Sequence, residues 1–206
     1  MKIRNMLLIG LFVLFSFTGY SQTLIGPVVG YEISEIKVDN EFYYHYRALI
    51  YFPYKSLINN ALNYGITLLH FFNKKYSIEV NSSYSRRKLE KITYAAEYLV
   101  FDQFTSKMVF HRSFLKNKRI GFGVIYNNNR IKPTLSNFDN YSPVFLQNEN
   151  HLGYTVAISY QYKNFVLDLS YNDIYNISKY KYRYISSSRS LDLSLAYMFV
   201  LSKKTK

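Results

Sequence analysis

The sequence predicts an all-β fold, an eight-stranded antiparallel up-and-down transmembrane β-barrel. One observation behind this prediction is the alternation of apolar and polar residues over long stretches, which indicates strands with one apolar face. A second is that very short turns and longer polar connections follow one another in turn along the chain. The third is an aromatic content of 19%, from 23 Tyr and 16 Phe without Trp. That content is unusual for a soluble domain and typical of a wall that places aromatic side chains at both membrane interfaces.

The N-terminus predicts an exported protein. Lys2 and Arg4 precede a short apolar run, and small and polar residues follow it. These are the parts of a secretory signal peptide, which we assign to residues 1–21 with cleavage near Ser21. The apolar run is shorter than the roughly 20 residues of a spanning helix, so a retained anchor is the less favoured alternative. Residues 22–206 are then one barrel domain, and the absence of Cys excludes disulfides.

Eight strands account for the alternation. Three hairpins turn at residues 73–75, 116–118 and 163–164; the strand "LIGPVVGYEISEIK" precedes them and "RSLDLSLAYMFV" follows them. The long loops are predicted at residues 89–101, 130–150 and 177–187. An even number of antiparallel strands, with tight turns at one end and longer loops at the other, is the rule for bacterial outer-membrane barrels.

Residues 38–63 are assigned to the first extracellular loop, into which the flanking strands could continue past the membrane. The stretch "EFYYHYRALIYFPYK" is strand-like, but counting it would give an odd number of strands and leave the barrel unclosed. Pro53 would interrupt a hydrogen-bond ladder there. The following "SLINNALN" is compatible with one or two helical turns.

The apolar faces are predicted to contact lipid. In the last strand Leu193 and Leu195 share a face, opposite Asp192 and Ser194. Strands of about 10–13 residues suit a tilted membrane strand, and the polar register has too many small residues for a water-exposed surface. Aromatic residues gather beside the short turns, as in an interfacial girdle: Phe72, Tyr76, Phe114, Tyr162, Phe165, Tyr197 and Phe199. A soluble exported barrel with the apolar side chains inside is the alternative.

Four stretches carry a resemblance that extends over nearly all of the chain after the signal peptide: "IGPVVGYEIS", "YGITLLHFFNKKYSIEVNSSYSRRK", "HLGYTVAISYQYKNFVLDLSYNDIYNI" and "LDLSLAYMF". In their Gly, aromatic and turn positions they resemble the small outer-membrane β-barrel ("porin family", PorT-like) proteins. The resemblance implies the barrel fold and a location in the outer membrane of a Gram-negative-type bacterium. The family name "porin" does not by itself establish transport.

Ionisable residues of the polar register are predicted to point into the lumen. An eight-stranded barrel has an interior just wide enough for side chains to fill. The predicted lumen residues are Glu32, Glu79, Lys107, His111, Asp168 and Asp192. Because an isolated buried charge is very costly, we expect them to pair in a polar network that plugs the barrel. A gated ion or proton path through the same residues is the alternative.

A His–Ser pair is the candidate for chemistry. His111 and Ser113 lie two residues apart, on one face of a strand. Such a pair supports acyl transfer when an acidic residue orients the His, and the spacing resembles the His-x-Ser-Asn motif of the lipid A deacylases. Phe114 stands where that motif has Asn, so we expect no catalytic site and no cofactor. The other histidines lack metal-ligand spacing: His45, His70 and His151.

Two basic, partly aromatic segments are predicted as loops at the outer rim, "SRRKLEK" and "SKYKYRY". The residues predicted to lie at the rim are Arg86, Arg87, Lys88, Lys179, Lys181 and Arg183. They would lie beside phosphorylated lipopolysaccharide, where attraction to an anionic surface is ~1 kcal/mol per Lys or Arg; a solvated loop is the alternative. The cluster "FYYHYRALIYF" is a candidate docking surface for a protein or glycan, since Tyr gives contact area at low entropic cost.

These features predict an integral outer-membrane protein with a structural or surface-interaction role and no catalytic activity. The formal net charge of +13 indicates outer-membrane lipids, including lipopolysaccharide, as anionic neighbours rather than nucleic acid, which an exported chain seldom meets. The machinery that inserts barrels is a further expected partner. Two other functions stay open: a narrow channel or transport or secretion accessory, and a lipid A-modifying outer-membrane enzyme.

Overall fold

The computed structural model describes residues 21–38, 55–90, 96–135, 147–178 and 185–204. Its elements are β1 Ser21–Val38, β2 Lys55–Phe71, β3 Tyr76–Glu90, β4 Ala96–Leu115, β5 Lys118–Leu135, β6 Gln147–Tyr162, β7 Phe165–Asn176, β8 Ile185–Tyr197 and β9 Phe199–Lys204. Consecutive strands pair antiparallel from β1 to β8. β1 also pairs with β8 and β9, which closes the sheet into a barrel.

The eighth strand of the barrel consists of β8 and β9, which are separated by Met198. β1 pairs with β8 from Val28 onwards and with β9 over Ser21–Ile25. The Met198 side chain is buried, and its N–H donates to the Asn164 carbonyl at 2.7 Å. The predicted fold class, a closed eight-stranded antiparallel barrel, is therefore confirmed.

One part of the prediction for residues 38–63 is wrong, namely the helical turns suggested for "SLINNALN". β2 begins at Lys55 and pairs with β1 as far as the Val38–Lys55 pair. The stretch "SLINNALN" is thus strand rather than one or two helical turns, because the β1 backbone supplies a complete ladder of hydrogen-bond partners. Residues 39–54, with Pro53, lie outside the described residues. The barrel still has eight strands.

Most strands are longer than the sequence predicts, and parts of the predicted loops belong to them. β4 has 20 residues and β7 has 12. Parts of all three predicted loops are strand, in β4, β5, β6 and β8. A backbone ladder can continue beyond the apolar part of a barrel, where lipid no longer requires an apolar side chain at every second position. We call the end with the short turns the turn end, and the opposite end the loop end.

An apolar belt runs around the outside of the barrel. Its side chains include Val29, Ile66, Phe110, Phe122, Val156, Leu169 and Leu193, which are between 39% and 62% exposed. Ser194 and Asp168, one residue away on the same strands, are buried inside. The belt therefore faces outward and the polar register inward, which is the predicted register. In the part of the chain that the structure describes, no helix is long and apolar enough to cross a membrane.

The turn end of the lumen has an apolar floor. It consists of Leu24, Val28, Leu69, Val166, Ala196 and Met198, with Phe71 packed against it. These side chains come from β1, β2, β7 and the eighth barrel strand. The polar interior begins directly above this floor.

Candidate functional site: the lumen and the two rims

All six predicted lumen residues lie in the barrel interior. Their exposed fractions run from 0% for His111 to 9% for Glu32 and Asp192. Strand alternation puts them there, because inward positions recur at every second residue of each strand. The structure distributes them over several layers.

The middle layer is centred on Lys107. Its Nζ donates to Ser170 Oγ at 3.1 Å and lies 3.4 Å from Asp192 Oδ2. The other oxygen of Asp192 accepts from Asn63 Nδ2 at 3.1 Å. A Cβ at Gly30 would collide with the Asn63 amide and come within 3.0 Å of Asp192. Glycine at position 30 therefore leaves space for the hydrogen bond between Asn63 and Asp192. Together with Lys107 and Ser170, these two residues link β2, β4, β7 and β8 across the lumen.

The layer above contains an arginine that the sequence analysis assigned to the outer rim. Arg87 is buried, its Nη2 lies 2.5 Å from Glu32 Oε2, and its Nη1 donates to Ser34 Oγ at 2.6 Å. The prediction of Arg87 as a rim residue is therefore wrong. β3 extends to Glu90, and alternation from Ser77 onwards turns Arg87 inward to neutralise Glu32.

A cluster near the loop end was missed from the sequence. Glu149 Oε2 lies 3.3 Å from His151 Nε2 and accepts from Asn176 Nδ2 at 3.0 Å and from the Ile185 N–H at 3.2 Å. Glu149 and His151 are completely or almost completely buried. Residues 130–150 were predicted as a loop; counting inward positions upward from Thr155 would have included both side chains.

The lowest polar layer lies just above the apolar floor. His111 Nε2 donates to Glu79 Oε2 at 3.2 Å, and Thr67 Oγ1 donates to Glu79 Oε1 at 3.3 Å. Arg119, which the sequence analysis did not select, also points into this layer and is 3% exposed. Asp168 lies on β7, two strands from Arg119 on β5. Ser159 on β6 lies between these two residues in the hydrogen-bond ladder.

Arg119 has an unusual environment. Its guanidinium carbon lies 5.3 Å from the ring centroid of Phe71. Its Nε, Nη1 and Nη2 make no hydrogen bond to any residue that the structure describes, and neither does one oxygen of Asp168. The carboxylates of Asp168 and Glu79 attract the positive charge of its guanidinium group. Several further unpaired polar atoms belong to the same side of the lumen: Ser77 Oγ, His111 Nδ1, Thr155 Oγ1 and Ser159 Oγ. Groups of this kind in a polar interior are normally satisfied by water.

The structure gives the His–Ser pair little access to a substrate. Glu79 orients His111 as a catalytic acid would, but His111 is 0% exposed inside the lumen. Ser113 lies close to the short turn, where its N–H donates to the Lys75 carbonyl at 2.7 Å. An acyl chain approaching from the lipid would have to cross the barrel wall. Over the described ranges, no group of three or more His, Cys, Asp or Glu side chains could hold a metal ion.

The outer rim differs from its prediction. Arg86 and Lys88 are exposed on β3, so they belong to a strand rather than a loop. Arg86 Nε lies 3.8 Å from Asp102, and Arg189 Nε lies 3.5 Å from Asp173. The predicted rim residues Lys179, Lys181 and Arg183 lie outside the described residues.

A ring of tyrosines bounds the apolar belt towards the loop end. Its members are Tyr31, Tyr64, Tyr84, Tyr126, Tyr154 and Tyr171, on six strands of the barrel. Four of the hydroxyls bond to a polar side chain on the next strand. Tyr84 donates to Asp102 at 2.7 Å, Tyr126 donates to Asn150 at 2.6 Å and Tyr154 donates to Asp173 at 3.0 Å, whereas Tyr31 accepts from Asn60 at 2.7 Å. Such side chains, with one apolar and one wet end, mark a membrane–water boundary.

A second aromatic ring bounds the belt at the turn end. Phe114, Tyr162, Phe165, Tyr197 and Phe199 are exposed there. Tyr197 packs edge-on against both Phe165 and Phe199, with centroid distances of 5.1 and 5.0 Å. These residues are part of the girdle that the sequence predicts beside the short turns.

Solved outer-membrane proteins share this fold. Ail, the attachment invasion locus protein of Yersinia pestis, in complex with the heparin analogue sucrose octasulfate, is similar at a TM-score of 0.51 and 15% identity, over 86% of this chain and 99% of Ail. Neisserial surface protein A is similar at a TM-score of 0.53 and 16% identity, over 84% of this chain and 97% of that protein. No protein-family model matches the chain, and no curated protein matches it in sequence. At these identities the likeness shows the fold: the chain is a closed eight-stranded antiparallel β-barrel of the type found in outer-membrane proteins.

Proposed function

We propose that the chain is an integral outer-membrane β-barrel protein with a structural or surface-interaction role and without catalytic activity. The observation that carries the proposal is the apolar belt between two aromatic rings. Contiguous exposed apolar surface of this extent is unfavourable in water and favourable in hydrocarbon. The resemblance to PorT-like barrels and the fold shared with Ail and Neisserial surface protein A support the same location, in a Gram-negative-type bacterium.

The lumen supports a structural rather than a transporting role. An apolar floor lies at the turn end, and Lys107 and Arg87 bridge strands across the layers above it. Interiors of eight-stranded barrels are filled by side chains. A filled and internally bonded lumen holds the barrel in shape, so that the loop end can act as a rigid display surface.

The proposed partners follow from this placement. They are the barrel-insertion machinery, which delivers the chain after cleavage near Ser21, and the lipids of the outer membrane, including lipopolysaccharide. Arg86, Lys88 and Arg130 are exposed beyond the tyrosine ring, where lipopolysaccharide phosphates would lie. A protein or glycan is the proposed partner of the long loops; Ail, a barrel of the same fold, was solved with a heparin analogue.

Membrane fractionation with a gel-mobility assay tests the location. We expect the protein in the outer-membrane fraction, extractable only with detergent. The unheated protein should migrate faster than the heated one, because a folded barrel binds less detergent. Recovery from the soluble fraction without detergent, with a mobility that heating does not change, would contradict the proposal.

A narrow channel is the second candidate, and the unpaired polar atoms around Arg119 favour it. Water in that layer would be the lower part of an ion path, provided that the apolar floor opens. Single-channel recording in planar bilayers tests this candidate: discrete conductance steps would support it, and a silent bilayer containing folded protein would reject it. In the second case the structural role remains the proposed function.

A further inference from the structure

The turn end of the barrel is surrounded by positive charge. Every short turn contributes exposed basic side chains, and β4 adds one just above its turn. The six residues, here called the cation ring, are Lys74, Lys75, Arg112, Lys116, Lys118 and Lys163. β9 carries Lys203 and Lys204 at the same end of the sheet.

No negative charge balances the cation ring within the described residues of the turn end. The nearest carboxylates along β3 and β7 are Glu79 and Asp168, and both point into the lumen. Basic residues concentrated in turns would be ordinary solubilising charge if acidic residues were mixed with them. Their separation from every outward-facing carboxylate of the described chain indicates an anionic neighbour.

The loop end provides the contrast within the same molecule. At the loop end, outward-facing basic side chains lie next to outward-facing carboxylates. Arg86 lies beside Asp102 and Arg189 beside Asp173. Opposite charges that lie close together cancel most of the field at a distance, so among the described residues the turn end is the more positive of the two rims.

The position of the cation ring relative to the belt indicates the nature of the neighbour. Except for Arg112, which lies on the belt side of Phe114 on β4, the ring lies directly beyond the aromatic residues that end the belt. Lys163 Nζ lies 5.5 Å from the ring centroid of Tyr162, so cation and interfacial aromatic are adjacent. In a membrane-embedded barrel this is the level of the lipid phosphates, where basic side chains reach the headgroups.

We propose that the cation ring binds anionic phospholipid headgroups of the adjacent leaflet and thereby enriches these lipids around the turn end. The inference rests on the proposed membrane location, but it concerns the opposite rim from the loops and a different lipid class from lipopolysaccharide. Each headgroup phosphate accepts charge-assisted hydrogen bonds from Lys or Arg. Four charges removed together change the local potential far more than any single one.

Lipid selectivity of the reconstituted protein tests the proposal. Protein in phosphatidylcholine vesicles is probed with trace spin-labelled phosphatidylglycerol or spin-labelled phosphatidylcholine, and the motionally restricted fraction gives the relative association constant. We expect wild type to prefer phosphatidylglycerol several-fold at low salt. The preference should shrink at ~1 M salt, where screening acts over about 3 Å.

Two matched quadruple variants locate the effect. K74Q/K75Q/K116Q/K118Q removes four cations from the turn end, and K37Q/R86Q/K88Q/R130Q removes four from exposed positions of the loop end. Glutamine keeps the length and polarity of the side chain. The turn-end variant should lose most of the preference, and the loop-end variant should keep it.

Other outcomes overturn the proposal in recognisable ways. Equal association of both lipids with the wild type, or equal loss in both variants, means that the cation ring does not select headgroups; a soluble acidic partner would then be the better explanation of the charge. If no restricted lipid appears with either label and the protein does not float with the vesicles, the proposed membrane location has failed as well. A restricted component without selectivity leaves the membrane location intact and rejects the headgroup site.

Discussion

The lumen is organised differently near its two ends, although both contain a buried arginine. Near the loop end Arg87 lies 2.5 Å from Glu32 and donates to Ser34. Near the turn end Arg119 is equally buried, but its guanidinium nitrogens have no hydrogen-bond partner among the described residues. The carboxylate of Asp168 attracts the positive charge of Arg119 without a hydrogen bond to it.

The difference shows that opposite charges in one cavity need not contribute equally to stability. A buried ion pair offsets its desolvation cost when the geometry is good and further hydrogen bonds satisfy the remaining donors. Arg87 contacts Glu32 directly and donates to Ser34, although its Nε has no hydrogen-bond partner among the described residues. Arg119 and Asp168 lie where water has to supply the missing hydrogen bonds. We therefore expect the Arg87–Glu32 pair to stabilise the barrel more than Arg119 and Asp168 do.

The largest predicted effect comes from breaking the upper pair. Arg87→Met leaves the Glu32 carboxylate buried without its cation, and removing one partner of a buried pair typically costs about 3–5 kcal/mol. The free energy of unfolding, measured by urea titration of the barrel in phospholipid vesicles, should fall by that amount.

The double variant R87M/E32Q is the control for this prediction. It removes the stranded charge while keeping similar volume, so it should recover more than half of the loss. If R87M alone costs less than about 1 kcal/mol, Glu32 is well hydrated in the folded barrel. The upper lumen would then be no more tightly bonded than the lower one.

Arg87 also shows how far sequence reasoning reaches. Period-two alternation predicts the inward side correctly for Glu79 and Asp168, because lipid requires an apolar residue at every outward position of the belt. Beyond the belt that requirement ends, and a charged stretch such as "SRRKLEK" has the composition of a loop. Continuing the parity of Ser77 along β3 would nevertheless have turned Arg87 inward.

Two other parts of the molecule could not be predicted from the alternation of apolar and polar residues, for the same reason. Residues 55–63 of β2 lack a sustained apolar register, and their strand conformation comes from pairing with β1, a contact that the local sequence pattern does not reveal. Arg119 follows a turn in a run of basic residues, so its direction depends on where β5 starts. A shift of one residue would place it outside.

The second prediction concerns Arg119 and compares the lower part of the lumen directly with the upper part. Arg119→Met should lower the free energy of unfolding by less than about 2 kcal/mol, since no direct hydrogen bond is lost. Methionine also keeps an apolar contact with Phe71. The same urea titration measures it. A loss as large as that of R87M would show that Arg119 is directly paired in the membrane, and the contrast between the two halves would disappear.

The last prediction concerns two inward-facing glycines, one in each type of environment. A Cβ at Gly30 would collide with the Asn63 amide, which donates to Asp192 at 3.1 Å, whereas a Cβ at Gly121 would approach His111 Nδ1 and Val109 to 2.6 Å. Overpacking a filled interior costs about 1–3 kcal/mol. Replacing glycine by alanine returns about 0.4–1 kcal/mol by restricting the unfolded chain.

The balance of these two contributions should differ between the sites. Gly30→Ala has to displace a hydrogen-bonded group, so we expect a net loss of about 2 kcal/mol. Gly121→Ala displaces a ring nitrogen without a hydrogen-bond partner in the described residues, and His111 can shift into the wetter side of the lumen. We expect its loss to stay near 1 kcal/mol, because movement of the imidazole weakens but need not break its contact with Glu79. Unfolding titrations of both variants under identical conditions decide the order, and a larger loss for Gly121→Ala would identify the lower layer as the rigid one.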